Sequence, residues 1–507
     1  VFHSGFLLQG SIGKKTHLAV AARRSYVDLI LDAVVPDGVL PFTQAPRYYD
    51  YQVKLDHRFS ERLLATVLIA GTNDSVSALL DAPPAAFPDA RGDLSTDSSF
   101  DIAVAVLRYE GQDWTSRTTL GAVAGRGEFR LGDTIRLEGG GTELTLRQDI
   151  TLGTGPVQLR TGLDLYYTPF KVEGLVPKFP ASGERNTTGG NPPSSERVFF
   201  SRQGAQVMPG IWLDAVFKMH PRLEVVPGVR LDLFRDLGNG QTLSPRINSR
   251  WQINDTVTLK GAIGTTSQQA LPPQLISPPL GNPGLLPQRG FEAAFGFEYD
   301  ITKRIDIDLQ VFRKQQWDLI LPNRQIFAGL PYSNNGRGRI NGMELMTRYK
   351  PDGRFFGWLS YTLTRAERID GPGQPARLFG WDQTHILTAL GSYKLPANWE
   401  LGARWRLTSG NPQTPLVTAV WNEQNDTYTR VQSTQVNSIR LPAFHQLDIR
   451  IDKKWIFDSW ILTGYLDIQN IYNRLNPSGI FYNFDASEQA YFTGLPIIPS
   501  IGFKAEL

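Results

Sequence analysis

The run Asn334-Asn335-Gly336-Arg337-Gly338-Arg339-Ile340-Asn341-Gly342 most invites a chemical reading, because closely spaced glycines can cradle a phosphate with backbone N–H groups. A cradle of that kind also needs a lysine and a helix that starts behind the glycines. Neither is present, and the run leads into the alternating stretch Met343-Glu344-Leu345, so it reads as the entry to a strand. Six histidines (His3, His17, His57, His220, His385 and His445) fall at turns, in strands or near the start, rather than converging in the long connections where neutral imidazoles could hold a metal or haem. The absence of cysteine removes disulfides, thiolate metal sites and thiol nucleophiles together. No serine, histidine and acid combination suggests a triad, so the sequence gives no support to catalysis and no cofactor is expected.

The long connections do carry groups suited to binding. Phe170, Phe179, Phe199 and Phe200 lie in one, Phe327 and Tyr332 in another, and Trp421 and Tyr428 in a third, with Arg324 and Arg430 nearby. Flat rings beside guanidinium groups suit an organic ligand with ring faces or anionic groups. Phe170, Phe179, Arg324, Tyr332, Trp421, Tyr428 and Arg430 are therefore the candidate ligand-binding residues, set against the plainer reading that such rings pack their own loops. Trp114, Trp251, Trp399, Trp455 and Trp460 flank short turns and read as an aromatic girdle at a membrane boundary. The net charge of +3 is spread along the 507 residues with no basic block, which excludes a nucleic-acid footprint.

The elements that must position these groups are strands. Tyr49 to Asp56 and Ile305 to Val311 alternate polar and apolar residues, which puts two unlike faces on each segment. No apolar run reaches the eighteen residues of a membrane helix; the best, Leu63 to Ala70, is far too short. A closed sheet escapes that test because its two faces average to the mildly negative mean hydropathy of −0.25. Gly, Pro, Asn and Asp punctuate the chain into short turns that alternate mostly with long links near residues 27–47, 74–97, 170–202, 269–288, 412–441 and 473–495. Short turns at one end of each strand pair and long loops at the other form the pattern of an outer-membrane barrel. The Gly139-Gly140-Gly141 run reads as a kink or bulge that lets a large sheet curve.

About 21 strands fit between these connections, whereas single-chain bacterial barrels have an even number. The first turn, at Gly13-Lys14, is of the short kind, so the strand near Phe6 is expected to be the second of 22. Val1 opens inside an ordered pattern with no signal peptide, and the first strand and whatever precedes it are expected to lie outside these 507 residues.

Four segments carry a family resemblance. The Asn334–Leu345 stretch with its Gly342-Met343-Glu344, the loop Leu280-Gly281-Asn282-Pro283-Gly284-Leu285, the strand entry Asp382-Gln383-Thr384-His385, and the pair Gln446–Arg450 with Leu466–Asn473 occur in that order. Beyond them the chain ends on Ser500-Ile501-Gly502-Phe503-Lys504-Ala505-Glu506-Leu507, similar to the terminal strand of bacterial outer-membrane barrels, although Leu507 stands where an aromatic residue is usual. Over essentially its whole length the sequence resembles the barrel of a TonB-dependent outer-membrane receptor.

The resemblance implies an all-β, large antiparallel transmembrane barrel in outer-membrane lipid, a scarce nutrient bound by extracellular loops and plug apex, and uptake energised by TonB. The plug domain and TonB-binding segment of such receptors are not in this sequence, and the plug is expected from an upstream part or a separate chain. The inward polar face, with Asp306, Asp308, Glu344, Arg348, Arg404, Arg406, Asp448 and Arg450, is of mixed sign and suited to hydrogen-bonding a plug. Two other readings stay open from the residues: a passive pore or structural subunit of an outer-membrane assembly, and a soluble all-β binding protein.

Overall fold

The computed structural model describes residues 3–26, 42–80, 92–132, 135–177, 197–235, 240–270, 272–275, 281–322, 330–351, 353–422, 427–483 and 487–507. The first eight strands are β1 (His3–Ile12), β2 (Thr16–Ser25), β3 (Phe42–Arg58), β4 (Leu63–Leu80), β5 (Gly92–Glu110), β6 (Trp114–Leu131), β7 (Ile135–Leu152) and β8 (Val157–Pro177). There follow β9 (Arg197–His220), β10 (Leu223–Phe234), β11 (Gly240–Gln252), β12 (Val257–Gln268), β13 (Gln288–Asp300), β14 (Ile305–Pro322), β15 (Tyr332–Tyr349) and β16 (Phe355–Ile369). The remainder are β17 (Arg377–Leu378), β18 (His385–Leu395), β19 (Trp399–Thr408), β20 (Pro412–Gln413), β21 (Leu416–Asn422), β22 (Thr427–Gln432), β23 (Ile439–Arg440), β24 (Phe444–Ile456), β25 (Ile461–Gln469), β26 (Pro477–Tyr482), β27 (Gln489–Thr493) and β28 (Ile498–Glu506). The one helical element among the described residues is a 3-10 turn, Pro272–Leu275. Among the described residues no helix is long and apolar enough to cross a membrane.

Twenty-two of these strands form one antiparallel sheet in which each long strand pairs with its neighbour in sequence, the two-residue β17 being the shortest member. Three outer-end pairs, β20–β23, β21–β22 and β26–β27, stand apart as small sheets. The turns at one end span two to five residues and are closed by local chemistry. Asn254 Oδ1 accepts from the N–H groups of Thr256 (2.9 Å) and Val257 (2.8 Å), and Ala397 and Asn398 both take positive φ in the β18–β19 turn.

The faces follow the period of two. On β13 to β16 the odd-numbered residues Phe295, Phe297, Leu309, Val311, Met343, Leu345, Leu359 and Leu363 line one side in register, while Glu298, Asp308, Glu344 and Arg348 line the other. Apolar side chains lie bare on the outward side, Phe295 at 54% and Val311 at 47% exposure, the reverse of a soluble sandwich. That arrangement is stable where hydrocarbon is the outer solvent.

Two features differ from the sequence reading. Strands run into the connections expected as loops: β4 extends to Leu80 and β9 begins at Arg197, because ladder pairing continues past the apolar band. The glycines at 139–141 form no bulge; they pair without a register shift against Gly127, Arg126 and Gly125 of β6. At the ends of the sheet, β1 is hydrogen-bonded along β2 and β28 along β25, and among the described residues no pairing joins β1 to β28. All ten residues of β1 are exposed, as befits a free edge.

Candidate functional site

The long connections gather at one end, and two of the sequence motifs meet there. Asn282 accepts from the Gly284 N–H (2.9 Å) and donates through Nδ2 to the Tyr332 carbonyl (2.9 Å). Asn334, from the glycine run, accepts from the Leu286 N–H (2.9 Å) and donates to the carbonyls of Leu286 (3.0 Å) and Asp318 (2.8 Å). Two amide side chains thereby replace water for backbone groups that the docked loop would otherwise leave unpaired. Beneath them Ala270, Leu275, Leu285, Ile320 and Tyr332 form an apolar cluster against which Phe170 packs. The prolines at 272 and 273 preset the backbone of the 3-10 turn that brings in the fully buried Leu275.

A second brace is ionic. The Asp382 side chain is wholly buried, and its carboxylate accepts from the Ala366 N–H (2.5 Å), the Thr384 hydroxyl (3.2 Å) and the Arg440 guanidinium. Arg440 also donates to the carbonyls of Asp382 and Gly410, each at 3.0 Å, so one side chain ties the β16–β18 connection to the β19–β24 connection. Asn437, also buried, donates to the Leu378 carbonyl (2.8 Å) from the left-handed conformation that asparagine tolerates.

The inner wall is a mosaic of paired charge. Arg250 and Lys260 hold Glu298; Lys260 also reaches Asp308 (2.7 Å), and Arg348 donates to Asp306 (2.7 Å). Lys350, in the turn beyond β15, pairs with Asp300 (3.0 Å), whose carboxylate raises the lysine above its ordinary pKa. Of these, Arg250, Glu298, Asp300, Asp306, Arg348 and Lys350 line a concavity of about 580 Å³ near the short turns, and Arg230, Asp232, Arg246 and Glu292 help to line another of about 370 Å³. Further round, Asp448 takes Arg404 at 2.7 Å and Arg406 at 3.6 Å. The sequence reading named Asp306, Asp308, Arg348 and Asp448 but missed Arg250, Lys260 and Glu298. The signal was there, since each alternates with an apolar neighbour within a few residues of a short turn.

Residues 34–471 match the family described as TonB dependent receptor-like, beta-barrel. The chain belongs to that family. It is an outer-membrane nutrient-uptake receptor of Gram-negative type rather than an enzyme, and the soluble alternative falls. Among solved structures it is similar to the ferric-catecholate import receptor Fiu of K12 E. coli, at 13% identity, TM-score 0.70, and coverage of 99% of this chain and 79% of that one. It is similar to the pyoverdine outer-membrane receptor FpvA of Pseudomonas aeruginosa PAO1, at 13% identity, TM-score 0.71, and coverage of 99% and 76%. The FrpB iron transporter of Neisseria meningitidis matches at 12% identity, TM-score 0.70, and coverage of 99% and 78%. No curated relative matches by sequence.

On this receptor the candidate ligand-binding residues separate into groups. Phe170 and Tyr332 share the apolar cluster, Tyr332 buried to 6% exposure. Trp421 is 46% exposed on β21, and in register it lies opposite Tyr428 of β22, two positions from the Ala419–Arg430 pair. Phe199 stands exposed at the outer end of β9, whereas its neighbour Phe200 packs against Leu131 and Ile135. Phe179, Arg324 and Phe327 lie outside the described residues. Tyr491 and Phe492, on the β26–β27 hairpin, are also exposed; sequence reasoning passed over them because nothing marks a loop hairpin apart from a membrane strand of similar pattern.

Proposed function

We propose that this receptor captures an organic iron chelate at its outer end and passes it through the lumen when TonB pulls from the periplasm. The observation that carries the ligand class is the β21–β22 hairpin, which brings Trp421 opposite Tyr428 and close in register to Arg430. Two aromatic positions and an arginine position in neighbouring register on one hairpin suit a flat, anionic or ring-bearing chelator. Similar receptors named for ferric catecholate and for pyoverdine support the class. Phe170 and Tyr332 contribute by holding the adjoining loop, and Phe179 and Arg324 complete the candidate set.

The charged inner wall is where a plug domain docks. A globular insert meets the wall's concavities with donors and acceptors already fixed by neighbouring pairs. One further strand of the complete protein, or of a partner chain, joins the free edges of β1 and β28, since unpaired backbone groups in hydrocarbon cost several kcal/mol each.

The test is uptake and binding of radio-iron complexed to a panel of catecholate, hydroxamate and mixed chelators by cells carrying the full gene product. Saturable binding of one chelate is expected, weakened about tenfold in Trp421→Ala and Arg430→Ala, with uptake lost when the proton gradient is collapsed. Binding of no iron chelate, alongside uptake of a metal-free nutrient, would replace the ligand class. Uptake that survives loss of the gradient would favour a passive pore.

A further inference from the structure

The outward face of β14, β15 and β16 changes character abruptly toward the loop end. Val311, Met343 and Leu363 lie side by side as the last wholly apolar row. The next outward row is Arg313, Asn341 and Arg365, and the one above it Gln315, Arg339 and Glu367, with Arg337 one step further on β15. From Ile305, level with Tyr349 at the lower boundary, to Arg313 is a strand length of roughly 27 Å, or about 20 Å along the membrane normal for a tilt near 40°. The row of Arg339 lies about 5 Å higher, so the arginines straddle the top of an apolar band about 25 Å tall, at the headgroup level of the outer leaflet.

Four guanidiniums face one carboxylate in this patch. Glu367 is held between Arg339 and Arg365, at 2.9 Å from the latter. The side chain of Arg365 remains 68% exposed and that of Arg339 49%. Arg313 contacts the neutral Gln315 amide, and Arg337 is exposed. Arg289, nearby on β13, differs because Asp318 already pairs with it at 2.5 Å. Four arginines that share a single carboxylate on one outward face, at headgroup depth, are placed for bidentate bonding to phosphate oxygens.

We propose that Arg313, Arg337, Arg339 and Arg365 form a binding site for the phosphate groups of an outer-leaflet glycolipid. The lipid's acyl chains lie along Val311, Met343 and Leu363, and its phosphates bridge neighbouring strands. Glu367 spaces two of the guanidiniums rather than neutralising the set.

The experiment uses the full receptor, delipidated in detergent, with native mass spectrometry reading retention of added lipid. The probes are diphosphorylated lipid A, the same lipid stripped of phosphate, and inorganic phosphate alone. Diphosphorylated lipid A is expected to be retained well above the stripped lipid. Retention should fall on the order of a hundredfold in the Arg313→Gln, Arg339→Gln, Arg365→Gln triple variant. Lys314→Gln, which removes a charge from the adjacent inward position, should leave it unchanged, and the triple Arg→Lys variant, which keeps the charges but loses the bidentate fork, should retain only part of it. The heat-dependent gel shift of a folded barrel verifies each variant. Equal retention of stripped and phosphorylated lipid, a triple variant that is folded and binds normally, or displacement by millimolar inorganic phosphate would overturn the proposal.

Discussion

Arg440 donates to both the carboxylate and the backbone carbonyl of the buried Asp382, 58 residues away in sequence, and so joins two outer connections. The pair sits at the root of the outer end rather than at its tip. Replacing Arg440 by Ala leaves the Asp382 carboxylate enclosed without its cation, a change that costs about 3–5 kcal/mol where a buried pair is broken from one side. Faster proteolysis of the 409–443 segment in intact cells, with the barrel still folded by gel shift, is the expected result. Unchanged cleavage would show that the pair is not what fixes these loops. Removing both partners together should cost less than removing Arg440 alone.

The two faces of β14 give a direct comparison in membranes. Leu309→Arg should destabilise the receptor by roughly 2–4 kcal/mol if it lies near the bilayer midplane, and Gln310→Arg, one residue on, by much less. Unfolding from lipid vesicles measures both. Equal costs would mean that the outward face has been assigned to the wrong parity.

Because the chain has no cysteine, single cysteines report their own surroundings without background. Placed in turn from Ile305 to Val311, they should alternate between labelling by a lipid-soluble reagent at odd positions and a water-soluble one at even positions. Uniform aqueous labelling would exclude a membrane-spanning strand here.

The free edges make a further prediction. Cysteines introduced at Leu8 on β1 and Phe503 on β28 should fail to form a disulfide in the complete protein, because another strand is proposed to lie between them. Efficient cross-linking would show that these two edges meet directly and would favour a passive pore.

Much of this was legible in the sequence, and the parts that were not share a cause. Alternation at Ile305 to Val311 and the short turns at Asn254 and Thr302 report local chemistry, which residue types encode directly. Loop bounds near Asp74 and Phe170 were too wide because β4 and β8 keep pairing outside the membrane, where no apolar pattern is required of them. Tyr332 could not be told from a ligand contact in advance, since its burial depends on Leu275 and Leu285 arriving from a different connection. The arginines at 337 and 339 were read as part of a strand entry; that they share an outward face with Arg313 and Arg365 in adjacent rows emerges only from the register between strands.

Pairing between successive strands also sets the order in which such a sheet can assemble. Almost every ladder joins segments separated by one turn or loop, the longest being the β19–β24 link across residues 409–443, so hairpins can form one after another at low entropic cost. The seam between the two edges is different. For a free chain, closing a loop of some 500 residues costs about 3 kcal/mol more than closing one of 15. Sealing the cylinder is therefore the slow, late event, and until it happens β1 and β28 are the surfaces on which an assembly factor would have to act.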